Sequence, residues 1–553
     1  MLDLSKRIEA ITRELAGTLS IVETPGELEV SDTLHSIMAD MDYYRAHPEL
    51  LYFVECEGDL YGRKILVAEL QGEKSDNKDT VVLMGHTDTV GISDYGPLKE
   101  FATKPDELLK RLAELRLTEE ARMDLESGHY MFGRGVFDMK GGVATIVALM
   151  EQVSENIADF DGNIVFGAVC DEEGNSTGMI NLVPHLNTLA EDKGYHYLAM
   201  IDPDYIAPAY PGDKNKYLYV GTVGKIMPSF LIVGKETHVG EAFDGLDPNQ
   251  VAAKITDRIN LNPEFCDMAE GELTLPPISL KQRDLKTEYS VQIANQAILF
   301  FSYATHQITP DQVLNQMMLA AQECFEQVVT DLNERYKRFC EMSGREVGAL
   351  PWVARTISYS MLYDQVKAEL GEELDELLQD YQQHLLKDER YDLRDKSMKV
   401  VEYLHSLWQD KDPVIITFFT PPYYPHVYVD DQNPKDIKLR RAVSKAIETV
   451  QPEFEDYPLV EKKFLPCISD LSYARAPKDP MVIEKLQRNT PGYGAFYELP
   501  LAAMQQLDLP VADIGCFGKD AHKFTERIEI RPSFEMTPAL LYHTILNLLD
   551  QDA

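Results

Sequence analysis

Five apolar segments of this chain end in carboxylate or imidazole side chains, and this recurrence restricts the possible folds more than any other feature. The segments VVLMG, GRGVF, IVFGAVC, YLAMI and GCFGKDA are followed in turn by His86 with Asp88, Asp138, the acids 171–173, Asp202, and His522. In a strand, residues i and i+2 point to the same side, so His86 and Asp88 can face one pocket. Ligands usually bind at the carboxyl ends of the strands in an α/β sheet. The pattern therefore predicts a sheet whose strand ends meet at a polar site.

Helical and strand-like segments alternate in the first part of the chain. Apolar runs predict strands at KILVAEL, TVVLMGH, GNIVFGAVC and YHYLAMID, and helical periodicity predicts helices at SKRIEAITRELAGTL and MKGGVATIVALMEQVSEN. Such alternation is typical of a mostly parallel sheet that is covered by helices on both faces. The expected fold class is therefore α/β.

The pattern changes at about Thr222. Strand-like segments such as KIMPSFLIVG and SVQIANQAILFFSYATH are followed by long helical segments, and the Pro-rich PPYYPH then leads back to alternating segments. The expected organisation is an α/β domain formed by 1–221 and 425–553 and interrupted by an α+β domain at 222–424. The helical segments are expected to form an insertion at about 310–412 of that second domain.

Composition excludes several classes of partner and site. The net charge of −39 makes nucleic acids and anionic membranes poor partners, because both are polyanions. No apolar run reaches the roughly 18 residues of a transmembrane helix, and the N-terminal MLDLSKRIEAITREL lacks the apolar core of a signal peptide, so a cytoplasmic location is expected. The seven cysteines are dispersed without a C-x-x-C pair, which argues against disulfides and against a thiolate zinc site.

The residues at the strand ends suit metal ions. Buried charges of one sign must be paired or bound to metal. Two histidines with three carboxylates are the nitrogen and oxygen donors that a pair of borderline divalent cations would take. Two adjacent cations need one carboxylate to bridge them, and hydrolysis needs a further carboxylate that is free to act as a base.

The series GHTDTV, GRGVFDMKGG, DEEGNSTG, IDPD and GKDAHKFTER resembles the di-zinc metallohydrolase family of aminoacylase, acetylornithine deacetylase, succinyl-diaminopimelate desuccinylase and carboxypeptidase G. The phrases GTVGKIMPSF, YATHQITPDQVL and FLPCISDLSY are most similar to its arginine-utilisation branch. The resemblance implies a catalytic domain interrupted by a lid and dimerisation domain, which is enlarged here. It also implies two divalent metal ions, zinc with cobalt or manganese as alternatives, and a small-molecule or peptide substrate.

The resemblance assigns the metal ligands residue by residue. The first metal would be bound by His86 and Asp202, the second by Glu173 and His522, and both by the bridging Asp138. Asp204 is the alternative to Asp202, but Asp202 is preferred because it directly follows the apolar run YLAMI.

Two further acids receive catalytic roles from the resemblance. Asp88 would orient the ring of His86, and Glu172 would act as the general base. The resemblance also implies a cis peptide bond between Asp138 and Met139.

In the second domain, GKETHVGEAFDGLDPNQVAAKI resembles the lid segment of the family. His238 matches a histidine that reaches over the metals, and Asn249 lies in the matching substrate-binding stretch. No arginine for a substrate carboxylate can be placed in LFFSYATHQ, and Arg355 is the candidate named instead. In related dimers the lid histidine serves the partner's site, so we expect a homodimer with His238 acting in trans. The alternative, in which 310–412 imitates the partner, would require strands where the sequence is helical.

The function expected from these residues is metal-dependent hydrolysis of an amide or peptide bond in an amino-acid derivative. The substrate would be an N-acyl amino acid or small peptide, with the branch resemblance favouring arginine metabolism. Two alternatives stay open: a dipeptidase or aminopeptidase with the same site, and a non-catalytic metal-binding protein that kept the fold. The free carboxylate of Glu172 argues against the last, because a binding protein has no need of a base.

Overall fold

The computed structural model of the protein describes residues 4–550, and the chain divides into two compact units. The first unit runs up to Thr222 and resumes at Val427–Ala476 and from Pro500 onward. The second unit consists of Val223–His426 and Pro477–Leu499. Among the described residues, no helix is long and apolar enough to cross a membrane.

The first part of the chain alternates helices and strands. Its helices are α1 (Ser5–Gly17), α2 (Gly26–Ala39), α3 (Asp42–Ala46), α4 (Pro105–Leu112), α5 (Glu119–Ser127), α6 (Lys140–Ser154) and α7 (Thr177–Lys193). Its strands are β1 (Leu51–Glu55), β2 (Lys64–Gln71), β3 (Asp79–His86), β4 (Tyr130–Phe132), β5 (Asn163–Val169), β6 (His196–Asp202), β7 (Tyr205–Ile206) and β8 (Lys216–Val220).

The middle of the chain forms most of the second unit. Its strands are β9 (Gly224–Ile226), β10 (Pro228–Val233), β11 (Met268–Ala269), β12 (Glu272–Leu273), β13 (Ile278–Asp284), β14 (Gln296–Thr305), β15 (Thr356–Ser358) and β16 (Val414–Phe419). Its helices are α8 (Pro248–Ile259), α9 (Pro310–Ser343), α10 (Tyr359–Leu370), α11 (Glu373–Leu386) and α12 (Leu393–Leu407).

The last part of the chain returns to the first unit, apart from one helix. Its helices are α13 (Pro434–Val450), α14 (Pro480–Arg488), α15 (Leu501–Leu507) and α16 (Thr537–Leu549), and its strands are β17 (Leu459–Lys462), β18 (Val511–Asp513), β19 (Cys516–Lys519) and β20 (Arg527–Glu529). Helix α14 belongs to the second unit.

An eight-stranded sheet in the order β1-β2-β5-β3-β6-β18-β8-β17 forms the centre of the first unit. Strands β5, β3, β6 and β18 run parallel, as the near-continuous apolar sequences of β3 and β5 predict for strands buried on both faces. A smaller sheet in the order β4-β20-β19-β7 lies in the same unit.

Two glycines show that helices cover both faces of the large sheet. A Cβ on Gly85 of β3 would meet Val143 of α6, whereas a Cβ on Gly167 of β5 would meet Leu182 of α7. Gly167 pairs with Met84, whose side chain points away from the face of Gly85. Helices α6 and α7 therefore lie on opposite faces, and the α/β fold class is confirmed.

The second unit combines a sheet with long helices. Its sheet has the order β13-β14-β10-β16-β15, with β9 also paired to β14. The long helix α9 begins with a capping box of Thr309 and Gln312 followed by Pro310, and it ends at Gly344 in the left-handed conformation. The α+β character and the helices at about 310–412 agree with the sequence pattern.

One segment lies in a different unit from the one expected. Residues 477–499 cluster with the second unit, although the sequence analysis assigned them to the α/β domain. Hydrogen bonds explain the difference: Asn489 accepts from the N–H groups of Phe419 and Ser360, and the carbonyl of Pro491 accepts from Ser397. These partners all lie in the second unit, and sequence periodicity gives no sign of such contacts.

Candidate metal centre

Parallel strands bring the polar residues to one edge of the large sheet. Strand β3 ends at His86, β5 is followed by the acids 171–173, and β6 ends at Asp202. Because these three strands are neighbours and parallel, their carboxyl ends lie side by side. Asp138 directly precedes the turn into α6, and its peptide bond to Met139 is cis, as the family resemblance implied.

Two groups of ligand atoms are formed at this edge, each with its atoms within 4.8 Å of one another. The first contains His86, Asp138 and Asp204, and the second contains Asp138, Glu173 and His522. The Nε2 atom of His86 lies 3.1 Å from Oδ1 of Asp138. The Nε2 atom of His522 lies 2.9 Å from both Oδ2 of Asp138 and Oε1 of Glu173. Asp138 is thus shared by the two groups.

Asp88 connects the first group to the acids that follow β5. Its two carboxylate oxygens accept hydrogen bonds from the N–H groups of Glu172 and Glu173, at 3.2 and 3.0 Å. Its Oδ1 lies 3.6 Å from Nδ1 of His86, and that nitrogen is 3.1 Å from the Asp88 carbonyl oxygen. Asp88 therefore orients the His86 ring, and it also holds the backbone that carries the two glutamates.

Glu172 lies beside the ligand groups but is a member of neither. Burial raises the pKa of Glu172 well above its usual value, and the nearby Asp470 raises it further. Glu172 is thus a buried carboxyl group close to the ligand groups and outside both, which makes it a candidate for the general base.

Hydrogen bonds to neighbouring carboxylates raise the pKa of both histidines in the ligand groups. The hydrogen bonds to Asp138 and Glu173 raise the pKa of His522 to about 10. Burial alone would lower the pKa of His86, but hydrogen bonds to Asp138 and Asp88 outweigh it and raise that pKa. The carboxylates around both histidines therefore favour positive charge in this region, which bound metal ions would supply with the imidazoles as neutral ligands.

Backbone conformation is unusual at the residues that present these ligands. Asp171, Asp520 and His522 have φ angles of 66°, 59° and 64°, in the left-handed region that non-glycine residues seldom adopt. Such conformations persist only where the surrounding structure over-determines them, and they cluster at functional sites.

The first ligand group contains Asp204, whereas the sequence analysis preferred Asp202 as the ligand. Asp202 is the last residue of β6, and its Oδ2 accepts a hydrogen bond from the Ser469 hydroxyl at 3.3 Å. Beyond the strand the chain continues through Pro203, and Asp204 comes within ligand distance of His86 and Asp138. The end of an apolar run locates the end of the strand, which here lies two residues before the ligand.

Two buried acids of this region were missed by the sequence analysis. Asp470 and Asp513 are fully buried. Asp513 pairs with Asp202 across β18 and β6, so their side chains point to the same face of the sheet. A signal was present, because both acids directly follow or interrupt short apolar stretches, in LPCISD and PVAD.

The remaining predicted residues lie in the second unit. His238 is exposed, and its Nδ1 accepts the N–H of Gly240 at 3.1 Å. Asn249 is the second residue of α8, and its Nδ2 donates to Asp284 at 3.3 Å. The guanidinium of Arg355 binds both carboxylate oxygens of Asp410. This ion pair gives Arg355 a structural role, and no contact among the described residues supports a role in binding the substrate.

Nitrogen and oxygen donors in two groups that share one carboxylate define the class of two-metal sites. Residues 82–462 match the sequence profile of peptidase family M20/M25/M40, and the chain belongs to this family. The recognition made from the strand-end motifs is thereby confirmed.

The most informative relatives cover nearly the whole chain. Protein RocB of Bacillus subtilis is 31% identical over 546 residues, which are 99% of this chain and 95% of RocB. Protein YqjN of the same species is 33% identical over 544 residues, which are 98% of this chain and 96% of YqjN. Among solved structures, aminopeptidase PepT of Bacillus cereus covers 99% of both chains with a TM-score of 0.54 at 13% identity, which shows a shared fold.

A pair of substitutions tests the position of the third ligand. We expect Asp204→Asn to lose about one equivalent of metal, because a neutral amide is a poor ligand for borderline divalent cations. Asp202→Asn should keep both equivalents, because its side chain contacts Ser469 instead. Metal analysis after gel filtration is the measurement. Loss in Asp202→Asn with retention in Asp204→Asn would restore the original preference.

The raised pKa of His522 predicts how the metal-free protein depends on pH. The group's ordinary value is 6.5 and its folded value is about 10, so the stability that the charged ring contributes is fully present below pH 6.5. It is lost as the pH rises through 10. In chelator, wild type should therefore melt above His522→Gln at pH 6, and the difference should shrink toward pH 10. A difference in melting temperature that is constant with pH would contradict the assignment.

Proposed function

We propose that the protein is a two-metal hydrolase that cleaves an amide or peptide bond of an amino-acid derivative, with Glu172 as the general base. The observation that carries the proposal is the pair of ligand groups that share Asp138, with Glu172 adjacent but outside both. Two divalent cations bound there would polarise the scissile carbonyl and lower the pKa of water. Glu172 would take the proton of the attacking water and pass it to the leaving amine.

The donor set supports zinc, with cobalt or manganese as alternatives. Each group offers one imidazole nitrogen and two carboxylates, and no cysteine belongs to either group within residues 4–550. Such ligands suit borderline cations and leave positions open for water and substrate. In this proposal His86, Asp138 and Asp204 hold the first ion, and Asp138, Glu173 and His522 hold the second.

The resemblance to the arginine-utilisation branch favours an N-acyl amino acid or small peptide related to arginine as the substrate. The fold shared with an aminopeptidase keeps a dipeptidase or aminopeptidase as the second candidate. An amide and dipeptide library assayed with the zinc-, cobalt- and manganese-loaded protein separates them, because only an aminopeptidase requires a free amino end. Two bound metals without any turnover would instead favour the non-catalytic binding protein. The cytoplasmic location also stays a prediction.

Substitution of Glu172 should reduce turnover, whereas substitution of Glu173 should reduce metal content. We expect Glu172→Gln to keep both metals and lose most turnover, on the order of 100-fold or more, because proton transfer needs a titrating group. Glu173→Gln should lose the second metal, because coordination needs a charged donor. Metal analysis and steady-state kinetics on both variants are the measurements. Metal loss in Glu172→Gln with retention in Glu173→Gln would reverse the two roles.

We further propose that the protein is a two-fold homodimer formed through the second unit. Strand β13 is the edge of its sheet, pairing with β14 alone among the described residues. Ile278 and Leu280 of this strand are exposed, and the nearby Leu273 and Leu275 are exposed as well. An edge strand that carries exposed apolar side chains is a ready site for pairing with a second copy. Helices α9–α12 leave little strand structure in 310–412, so imitation of a partner within one chain is disfavoured.

The homodimer proposal includes His238 acting at the partner's site, where it would stabilise the developing oxyanion. His238→Ala and Glu172→Gln should each be inactive alone. Co-expressed with different tags, they should regain activity in the mixed dimer, because one of its two sites then has both residues. Activity of the doubly purified heterodimer is the measurement. A heterodimer that forms without recovering activity would show that His238 does not act in trans.

A further inference from the structure

One arginine is buried behind the acids that follow β5, where the proposed mechanism does not use it. The side chain of Arg63 is 5% exposed and lies among three carboxylates. Its Nη1 is 2.7 Å from Oδ1 of Asp171 and 3.3 Å from Oε1 of Glu27, and its Nη2 is 2.7 Å from Oδ1 of Asp59. None of these four residues belongs to either ligand group.

The cluster holds Asp171 by its backbone and its side chain together. The second carboxylate oxygen of Glu27 accepts the N–H of Asp171 at 2.9 Å. The second carboxylate oxygen of Asp171 accepts from the N–H of Thr177 at 3.2 Å and from its hydroxyl. Asp171 thus has every side-chain oxygen engaged while its φ angle is 66°.

That left-handed turn sets the direction of the next two residues. A non-glycine residue persists in this sparsely populated backbone region only where its surroundings fix it, so the turn needs partners. Glu172 and Glu173 follow immediately, and Asp88 holds their N–H groups from the other side. The turn is therefore held between Asp88 at the metal side and Arg63 at the buried side.

We propose that Arg63 is a positioning residue, which through Asp171 sets the placement of Glu173 as a ligand of the second metal and of Glu172 as the base. The inference rests on the proposed two-metal function. It predicts that a change at Arg63 weakens binding of the second ion more than binding of the first. The ligands of the first group come from other segments, namely β3, the turn before α6, and the residues after β6.

The chain offers a matched control for the loss of a buried arginine. Arg475 lies in the same unit, 13% exposed, and its Nη2 is 2.7 Å from the fully buried Asp436 while its Nε is 2.8 Å from Asp508. None of these three residues belongs to either ligand group. A purely structural role for Arg63 would make Arg63→Lys and Arg475→Lys behave alike.

The experiment measures the affinity of each metal ion by competition with a chromophoric chelator, using zinc and cobalt as the probes. In Arg63→Lys the ion that Asp138, Glu173 and His522 would hold should lose about 10- to 100-fold in affinity, the usual effect of removing a partner that orients a ligand. The first ion should change by less than about threefold on the same reasoning. Arg475→Lys should leave both affinities unchanged, whatever it does to the melting temperature. With a substrate in hand, Arg63→Lys should lower kcat and leave KM nearly unchanged.

A second variant keeps the inference testable if Arg63→Lys does not fold. Asp171→Asn keeps a residue that tolerates the left-handed conformation and can still bind Thr177, but it loses the charge that faces Arg63. It should weaken the second ion selectively as well. Folded Arg63→Lys or Asp171→Asn protein with both affinities unchanged, or an equal loss in Arg475→Lys, would overturn the inference. Wild-type protein that binds fewer than two ions would overturn the proposed function itself.

Discussion

A dense group of buried carboxylates at one edge of a sheet is the constraint on which the first unit depends. Asp88, Asp138, Asp204, Asp470 and Asp513 are each no more than 5% exposed. Like charges at this density are tolerated only where cations, protons or hydrogen-bond donors compensate them. Burial and the neighbouring charge of Asp138 raise the pKa of Asp204 to about 7, and burial raises the pKa of Asp470 to about 7. The groups of the protein alone therefore leave part of this negative charge uncompensated.

Buried arginines bind carboxylates close to three of the turns that present ligands. Arg134 binds Glu526 at 2.6 Å, and Glu526 in turn accepts the N–H groups of Phe137 and Asp138 at 3.3 and 3.4 Å. Arg527 binds Asp520 at 2.5 Å, two residues before His522. Together with Arg63 behind Asp171, these pairs place a fixed positive charge near three of the turns that present ligands. Arginine suits such positions because its planar guanidinium binds several carboxylates at once and stays charged when buried.

The sequence was most informative where a chemical group coincides with a strand end. His86 could be located from the apolar run alone, because strand β3 ends at this residue. The roles of Asp88 and Glu173, which lie two and four residues beyond the ends of their strands, came from the family resemblance instead. Asp204 could not be located in this way, because it lies two residues beyond the end of strand β6 and of its apolar run. The partners of these groups, such as Arg63, lie far away in sequence, and single-sequence periodicity carries no information about such contacts. The same limit explains the segment 477–499, whose membership of the second unit depends on hydrogen bonds formed by Asn489 and Pro491.

The order of strands in the large sheet has a consequence for synthesis on the ribosome. Strand β18 lies between β6 and β8, although its residues are made about 300 positions after β6, as the separation of Val511 from Met200 shows. His522 is made later still, so the second ligand group cannot form until synthesis has passed that residue. The second unit, in contrast, has most of its chain available earlier, between Val223 and His426. A truncated or stalled product would therefore contain most of the second unit but would lack strand β18 of the large sheet. The edges of β6 and β8 would then be unpaired and open to aggregation and proteolysis.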